Sequence, residues 1–399
     1  MNKNIKLAVA GAVLALSATA ANAGIVIPAG DWTIDINGNV NAFYIHNNSS
    51  DSATIDGGLA NKKSTNTAGA NASSINTGLL PSWLGVTGKT RQNDLDVEFT
   101  ISLQPGASSK KSLDGGGGNE NRQAYVSFGD KSWGTILLGK NLGQFGRDAI
   151  LNDMTLLGVG SQGAVGAQGG TTTTLGRIGT GFIYADFQGQ INYTTPNFSG
   201  FEATVGIVQP IVSNNLGTSG AITNNQKSPA YEGVVRYSFA ANDVSGKVWA
   251  EAKGQKAYGA SFNDDVWAAG IGANVKAAGF DLTGYYYNGE GAGTTAWLMD
   301  GFSAAGKKRD SDGGYVQALY TLPTKTKVGV SWGESNLDLA SGETNTTLVK
   351  TNEMWTVGAY HPLTKHLNLV AEYSRVESEN QAGAKNKSDI FDAGAILFF

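Results

Sequence analysis

The last eleven residues, Asp389-Ile-Phe-Asp-Ala-Gly-Ala-Ile-Leu-Phe-Phe399, place Phe391, Ala393, Ala395, Leu397 and Phe399 on one parity. That is the two-residue period of a β-strand. So apolar a strand left unpaired would be a sticky edge. It makes sense if it closes a barrel against the first strand and turns its apolar face to lipid. The first strand, over 32–44, shows the same pattern. Its even positions are Trp32, Ile34, Ile36, Gly38, Val40, Ala42 and Tyr44, and its odd ones are Thr33, Asp35, Asn37, Asn39 and Asn41, with Phe43 the exception. Over 94–104, Leu95, Val97, Phe99, Ile101 and Leu103 alternate without a fault against Asp94, Asp96, Glu98, Thr100, Ser102 and Gln104.

Further strands are expected at 80–89, 122–128, 134–140, 182–194, 201–208, 231–239, 244–253, 266–276, 280–287, 314–321, 326–334, 354–360 and 367–375, making sixteen in all with the terminal one. Long connections are expected at 47–79, 105–121, 141–181, 209–230, 254–265, 288–313, 335–353 and 376–388. Short turns fall between them. An all-β sixteen-stranded antiparallel transmembrane β-barrel, with short turns on one side and long loops on the other, accounts for this alternation. A soluble sandwich gives no reason to gather every long loop at one end.

Composition agrees with that reading. Charged residues make up 16% of the chain, below the ~25% of soluble domains, and Gly is enriched. Lys3 and Lys6, the apolar run 7–16 and Ala21-Asn22-Ala23 read as a secretory leader over 1–23, with one barrel over 24–399. Without the two leader lysines the net charge of −4 becomes −6, with acids and bases interspersed. That balance does not call for nucleic acid. The absence of Cys excludes disulfides and thiol chemistry.

Signals for enzyme chemistry are thin. Gly158-x-Gly160-x-x-Gly163 matches a dinucleotide string, yet it follows no convincing strand and opens no helix. His361 and His366 flank Pro362 in a turn rather than a helix, so no metal pair is expected. Only His46, His361 and His366 are available to a hydrolase triad, and no Gly-x-Ser-x-Gly occurs. Asp96 and Glu98 read as solvated wall residues. Trp32, Tyr44, Trp133, Tyr231, Phe239, Tyr285, Tyr286, Tyr287, Tyr320 and Trp332 lie near strand ends, as interfacial girdles require.

The strings Ser82-Trp-Leu-Gly-Val-Thr-Gly88, Asn121-Arg-Gln-Ala-Tyr-Val-Ser-Phe-Gly-Asp130, Trp133-Gly-Thr-Ile-Leu-Leu-Gly-Lys140 and Asn192-Tyr-Thr-Thr-Pro-Asn-Phe-Ser-Gly-Phe201, with Phe399 closing the barrel, occur in that order. With them the chain resembles a Gram-negative general porin of the proteobacterial trimeric type. The resemblance implies a homotrimer among outer-membrane lipids and lipopolysaccharide, and a third loop folded into the lumen. It implies passive passage of small hydrophilic solutes and ions, without cofactor or bond chemistry; a channel selective for a sugar or carboxylate is the alternative. It also implies a constriction with basic wall residues facing an acidic loop. Carried over, Arg122, Lys140 and Arg177 supply the wall, and Asp148 and Asp153, beside Arg147, supply the loop. Arg122 is expected mid-strand, where an arginine aimed at the bilayer would cost roughly 2–4 kcal/mol and so should point inward. Trp83 stands where the family often has Arg. The strand-six basic position maps to Arg177 or to Asp186.

Overall fold

The structure, a computed structural model, describes residues 24–63, 71–107, 119–162, 173–211, 227–259 and 263–399. The expected leader, the run Gly115–Gly118 and Gly163 lie outside these residues. Sixteen strands form the wall. They are β1 (Trp32–Ser49), β2 (Trp83–Gln92), β3 (Leu95–Pro105), β4 (Ala124–Asp130), β5 (Gly134–Leu142), β6 (Phe187–Thr194), β7 (Phe201–Val208) and β8 (Ala230–Ala241). The second half is β9 (Val244–Tyr258), β10 (Asn263–Ala277), β11 (Phe280–Glu290), β12 (Asp310–Thr321), β13 (Lys327–Leu337), β14 (Val349–Pro362), β15 (Leu367–Asn380) and β16 (Lys385–Phe398). Three short strands, Ile25–Ala29, Asn71–Asn76 and Asn119–Glu120, pair with wall strands without entering the count.

Every neighbouring pair in the wall is antiparallel, and β16 pairs with β1 in the register Leu397↔Val40, Ala395↔Ala42, Ala393↔Tyr44. The ring is closed. Past the end of β16, Gly38 and Phe399 exchange backbone hydrogen bonds of 2.8 and 3.0 Å. Below them Ile25–Ala29 takes over the same edge, pairing Ile25↔Ile36 through Ala29↔Trp32. A Cβ at Gly38 would collide with the Trp83 carbonyl oxygen, so only glycine lets three chain segments meet there.

Alternation sorts the side chains as the sequence requires. Val40, Tyr44, Ile101, Leu103, Phe391 and Leu397 lie exposed on the outer face, while Asn39, Asn41, Thr100, Ser102 and Gln104 are buried inside. Phe43, with Ile45, belongs to an apolar cluster inside the barrel. Short turns carry the residues their geometry demands. Asn93 and Asp94, at φ 50° and 64°, make a two-residue turn with both centres left-handed, as do Ala278 and Gly279 at 49° and 84°.

Two expectations change. The sixth strand begins at Phe187, not at 182, because Phe182 and Ile183 are buried inside the barrel. A short apolar run reads the same whether it lies in a wall or in a packed loop. Strands β9 to β16 also reach further than the alternation suggested. Beyond the apolar band their outward residues turn charged, as with Glu377, Lys385 and Lys387 near the β15–β16 junction. Of the expected girdle residues, Tyr231, Tyr286, Tyr320 and Trp332 face outward, whereas Tyr285 and Tyr287 are buried inside.

The wall is uneven in height. β4 has 7 residues, β6 and β7 have 8 each, while β9 and β10 have 15. At about 3.3 Å per residue and a tilt near 45°, a 7-residue strand climbs roughly 16 Å, short of an apolar band of ~25 Å.

Outside the membrane, the connections brace one another. Arg309, in the segment after β11, holds Glu343 by a fork of 2.9 and 2.5 Å and donates to the Asp300 carbonyl at 2.7 Å. That fork holds the Glu343 carboxyl below its usual range, against partial burial and with help from the Ala340 N–H. The brace is therefore complete above the ordinary glutamate pKa of about 4.3 and is lost as pH falls through the lowered folded-state value. Hydrogen-exchange protection of 338–343 should drop in that acidic window. Glu343→Gln should erase the step and lower protection about tenfold at neutral pH, since charge-assisted hydrogen bonds are worth about 1.5–3 kcal/mol. On the outer face, Ile271→Arg should cost about 2–4 kcal/mol in urea unfolding from bilayers; an unchanged midpoint would refute the lipid-facing assignment of β10.

Candidate pore constriction

The described parts of the connection between β5 and β6, 143–162 and 173–186, turn into the barrel instead of out of it. Its first half is a helix, α1 (Arg147–Asn152), followed by a 3-10 turn, Met154–Leu157. A loop inside a wall needs partners for its backbone groups, and the inward polar positions of β8 to β15 provide them. Glu232 accepts the Gln144 N–H at 2.5 Å. Glu251 accepts the Gly146 N–H and the Tyr285 hydroxyl, both at 2.8 Å. Tyr315 donates to the Ala149 carbonyl at 2.7 Å, and Gln317 accepts the Met154 N–H at 2.9 Å. Glu372 accepts the Val159 and Gly160 N–H groups, both at 2.9 Å, and Ser335 accepts that of Gly181 at 3.0 Å.

Apolar groups fill the seam. Phe145, Ile150, Met154, Leu156 and Phe182 pack with wall residues such as Tyr315 and Met354. The loop is thus laid along one side of the lumen. The Gly158 and Gly160 of the dinucleotide-like string are part of this seam and open no helix.

The opposite side stays open. A cavity of about 1010 Å3 lies between α1, which lines it with Arg147, Asp148 and Leu151, and a wall that includes Lys89, Arg91, Glu98 and Tyr125. It extends to the short-turn side, at Lys131 and Asn197.

The expected site residues are distributed otherwise than the resemblance implied. Arg122 precedes β4 rather than standing mid-strand. Its Nε donates to Glu120 at 3.0 Å, and its guanidinium lies 5.4 Å from the Phe187 ring centre. Lys140 shares the outward parity of Ile136 and Leu138, is exposed, and donates to the Asn121 carbonyl at 2.7 Å. The register Tyr125↔Gly139, with Tyr125 and Asn141 lining the cavity, is what turns Lys140 away from the lumen. Arg177 is fully buried within the third loop, 3.9 Å from Asp153, and donates to the Met354 carbonyl at 2.9 Å. Asp186 sits at φ 55° just before β6, so neither residue is on the β6 wall, whose inward positions are Gln188, Gln190 and Asn192. Trp83 donates to Asn37 at 3.4 Å.

Charge inside the lumen is mostly cancelled. Asp148 pairs with Arg236 at 2.7 Å and with Lys247. Lys89 pairs with Glu98 at 3.3 Å, and Arg91 with Asp96 and Asp130 at 2.8 and 2.9 Å. Among the described residues Arg147 forms no ion pair; it stands half-buried on the helix face that lines the cavity. The loop therefore presents a cation where acid was expected. Arg236, Lys247 and the anchoring carboxylates were absent from the sequence-derived site, though parity carried the signal. Glu232, Val234, Arg236 and Ser238 alternate with the exposed Tyr231, Val235 and Tyr237.

The profile of the Gram-negative porin family matches residues 8–381. No curated protein matches the chain. Among solved structures, the outer membrane channel DcaP of Acinetobacter baumannii aligns at a TM-score of 0.69 and 16% identity, covering 94% of this chain and 100% of that one. An anion-selective porin from Comamonas acidovorans aligns at 0.64 and 15%, covering 92% and 100%. OmpT of Vibrio cholerae, folded in vitro and in its trimer form, aligns at 0.55 and 15%, covering 92% and 99%. At such identities these likenesses speak for the fold alone. The family match reaches across nearly the whole chain, and with it the protein belongs to the Gram-negative porins, channels of the outer membrane.

Proposed function

We propose that this channel is a general-diffusion pore for small hydrophilic solutes and ions, with a bias toward anions set by Arg147. The observation that carries the reading is the cavity beside α1. It is bounded by paired charges and hydroxyls, and among the described residues Arg147 is the α1 charge in it without an ionic partner. A guanidinium in a narrow, low-dielectric passage keeps much of its field at physiological salt. Ion pairs such as Lys89–Glu98 act as dipoles and contribute little net sign. The inward tyrosines that a sugar-selective channel would use as a sliding surface, Tyr285 and Tyr287, lie buried instead, the first bonded to the loop-anchoring Glu251. Passage on this reading involves no bond chemistry.

The same reading includes a homotrimer. The low wall from β4 to β7 is too short to meet the full apolar band alone, and packing neighbouring protomers there removes the mismatch. The Vibrio cholerae neighbour is described as a trimer form.

Planar-bilayer recording of the purified protein should show ohmic steps, with a reversal potential in a KCl gradient on the anion side. Arg147→Glu should move that potential to the cation side and lower the chloride-to-potassium permeability ratio several-fold. A reversal potential identical in both proteins would remove Arg147 from the selectivity mechanism, and an absence of steps would remove the channel reading itself. Val126→Arg, on the outer face of β4, should convert trimers to monomers on a native gel; trimers that persist would place the interface elsewhere.

A further inference from the structure

The connection between β11 and β12, residues 291–309, does not stand away from the barrel mouth. Trp297, Leu298, Met299 and Phe302 on it are buried, while Ala304, Ala305 and Lys307 at its tip are exposed. It therefore reaches from the outer surface down into the lumen. Its inner part is held in one shape. Leu298 and Asp300 have left-handed backbones, at φ 67° and 59°, which residues other than glycine seldom adopt. Such strain persists where the surroundings fix it, and it gathers where a function needs it. Here the Leu298 N–H donates to the Ala292 carbonyl at 2.8 Å, and the Arg309 N–H to that of Gly301 at 2.9 Å.

What this inner part meets is the third loop, on both of its limbs. On the outgoing limb the Trp297 ring stands edge-on to Phe145, with centres 5.9 Å apart and planes at 68°. On the returning limb the Tyr184 N–H donates to the Thr295 carbonyl at 3.0 Å. A Cβ at Gly179 would come within 2.5 Å of the Thr295 hydroxyl oxygen. The Trp297 ring is fixed from the wall as well. Its N–H donates to Gln255 of β9 at 3.1 Å, and the Lys253 ammonium lies 5.0 Å from its centre. That ammonium pairs at 2.7 Å with Glu232, the carboxylate that accepts the Gln144 N–H. Gln144 and Phe145 lead straight into Gly146, at φ 78°, and Arg147, the first residue of α1. Aromatic edge contacts prefer one geometry, so the ring bears on where α1 starts.

We propose that the connection 291–309 is a clip on the third loop, and that Trp297 is a positioning residue for the constriction. Packed on Phe145, it fixes where α1 carries Arg147 beside the passage. The proposal rests on the reading of Arg147 given above for its effect on selectivity, whereas its effect on loop motion stands apart from that reading. Without the ring, the outgoing limb keeps its backbone anchors on Glu232 and Glu251 and loses the group that packs against Phe145. The start of α1 then samples more than one position, and the open pore fluctuates.

Planar-bilayer recording of the full purified protein reads both effects. Trp297→Ala should populate partly closed sub-states about two- to tenfold more often than wild type, the equivalent of one aromatic pair. It should also bring the reversal potential in a KCl gradient closer to zero. A role in stability alone would leave selectivity unmoved in the folded protein. Trp297→Phe keeps an aromatic edge without the indole N–H and should restore most of the wild-type behaviour. Phe145→Ala, on the other side of the contact, should reproduce the loss, which decides the matter if Trp297→Ala folds poorly. Where both fold, the double variant should add little to either. Heat-modifiable gel mobility should match wild type, because the β11–β12 ladder does not use the ring. Wild-type sub-states and reversal potential in both single variants, or effects that simply add, overturn the proposal. If Arg147→Glu leaves the reversal potential unchanged, the charge reading falls while the sub-states still test the clip.

Discussion

Hydrocarbon offers a backbone no partner, so each strand in it must find both neighbours in the chain itself. In this porin that demand is met by a ring whose last bonds are made between β16 and β1, with Gly38, Phe399 and Ile25–Ala29 sharing the seam. With the ring closed, alternation has only one meaning: one parity faces lipid and the other faces the lumen. The rest of the molecule is built on that separation.

The lumen face solves a second problem with the same groups. The described parts of the third loop enter it, and N–H groups there are met by carboxylates, amides and hydroxyls on β8 to β15. These inward polar residues face packed backbone rather than water. Carboxylates such as Glu251 and Glu372 are buried because they hold the loop, which explains why so many acids sit inside the wall yet leave little net negative charge toward the passage. Pairing of Asp148 with Arg236 and Lys247, and of Asp153 with Arg177, removes the loop's acids from the lumen field as well. Among the described residues, Arg147 is left as the charge on α1 without an ionic partner.

The outside of the wall is equally divided in its tasks. Low strands β4 to β7 and tall strands β8 to β16 cannot face the same surroundings, because an apolar band has one thickness and a strand has a fixed rise per residue. Height alone distinguishes a side suited to another protomer from a side suited to lipid.

Much of this architecture is legible in the order of the residues. Alternation at 32–44 and 94–104, the apolar terminal strand and the rhythm of short turns determine a sixteen-stranded barrel, because a period of two needs no knowledge of distant residues. Parity also marks Arg236 as an inward residue of β8, by the same rule that sorts the two faces of β1. The placement of charge is not legible in that way. Lys140 turns outward only because Gly139 pairs with Tyr125, and Arg177 is buried only because the third loop folds over it. The decisive contacts join groups 88 residues apart, as in Gln144 with Glu232, or 213 apart, as in Val159 with Glu372. The sequence by itself determined which faces are oily and which are wet, since that follows from local order along each strand. Only the tertiary structure decided which acid meets which base, because a closed barrel brings together side chains that local order leaves unrelated.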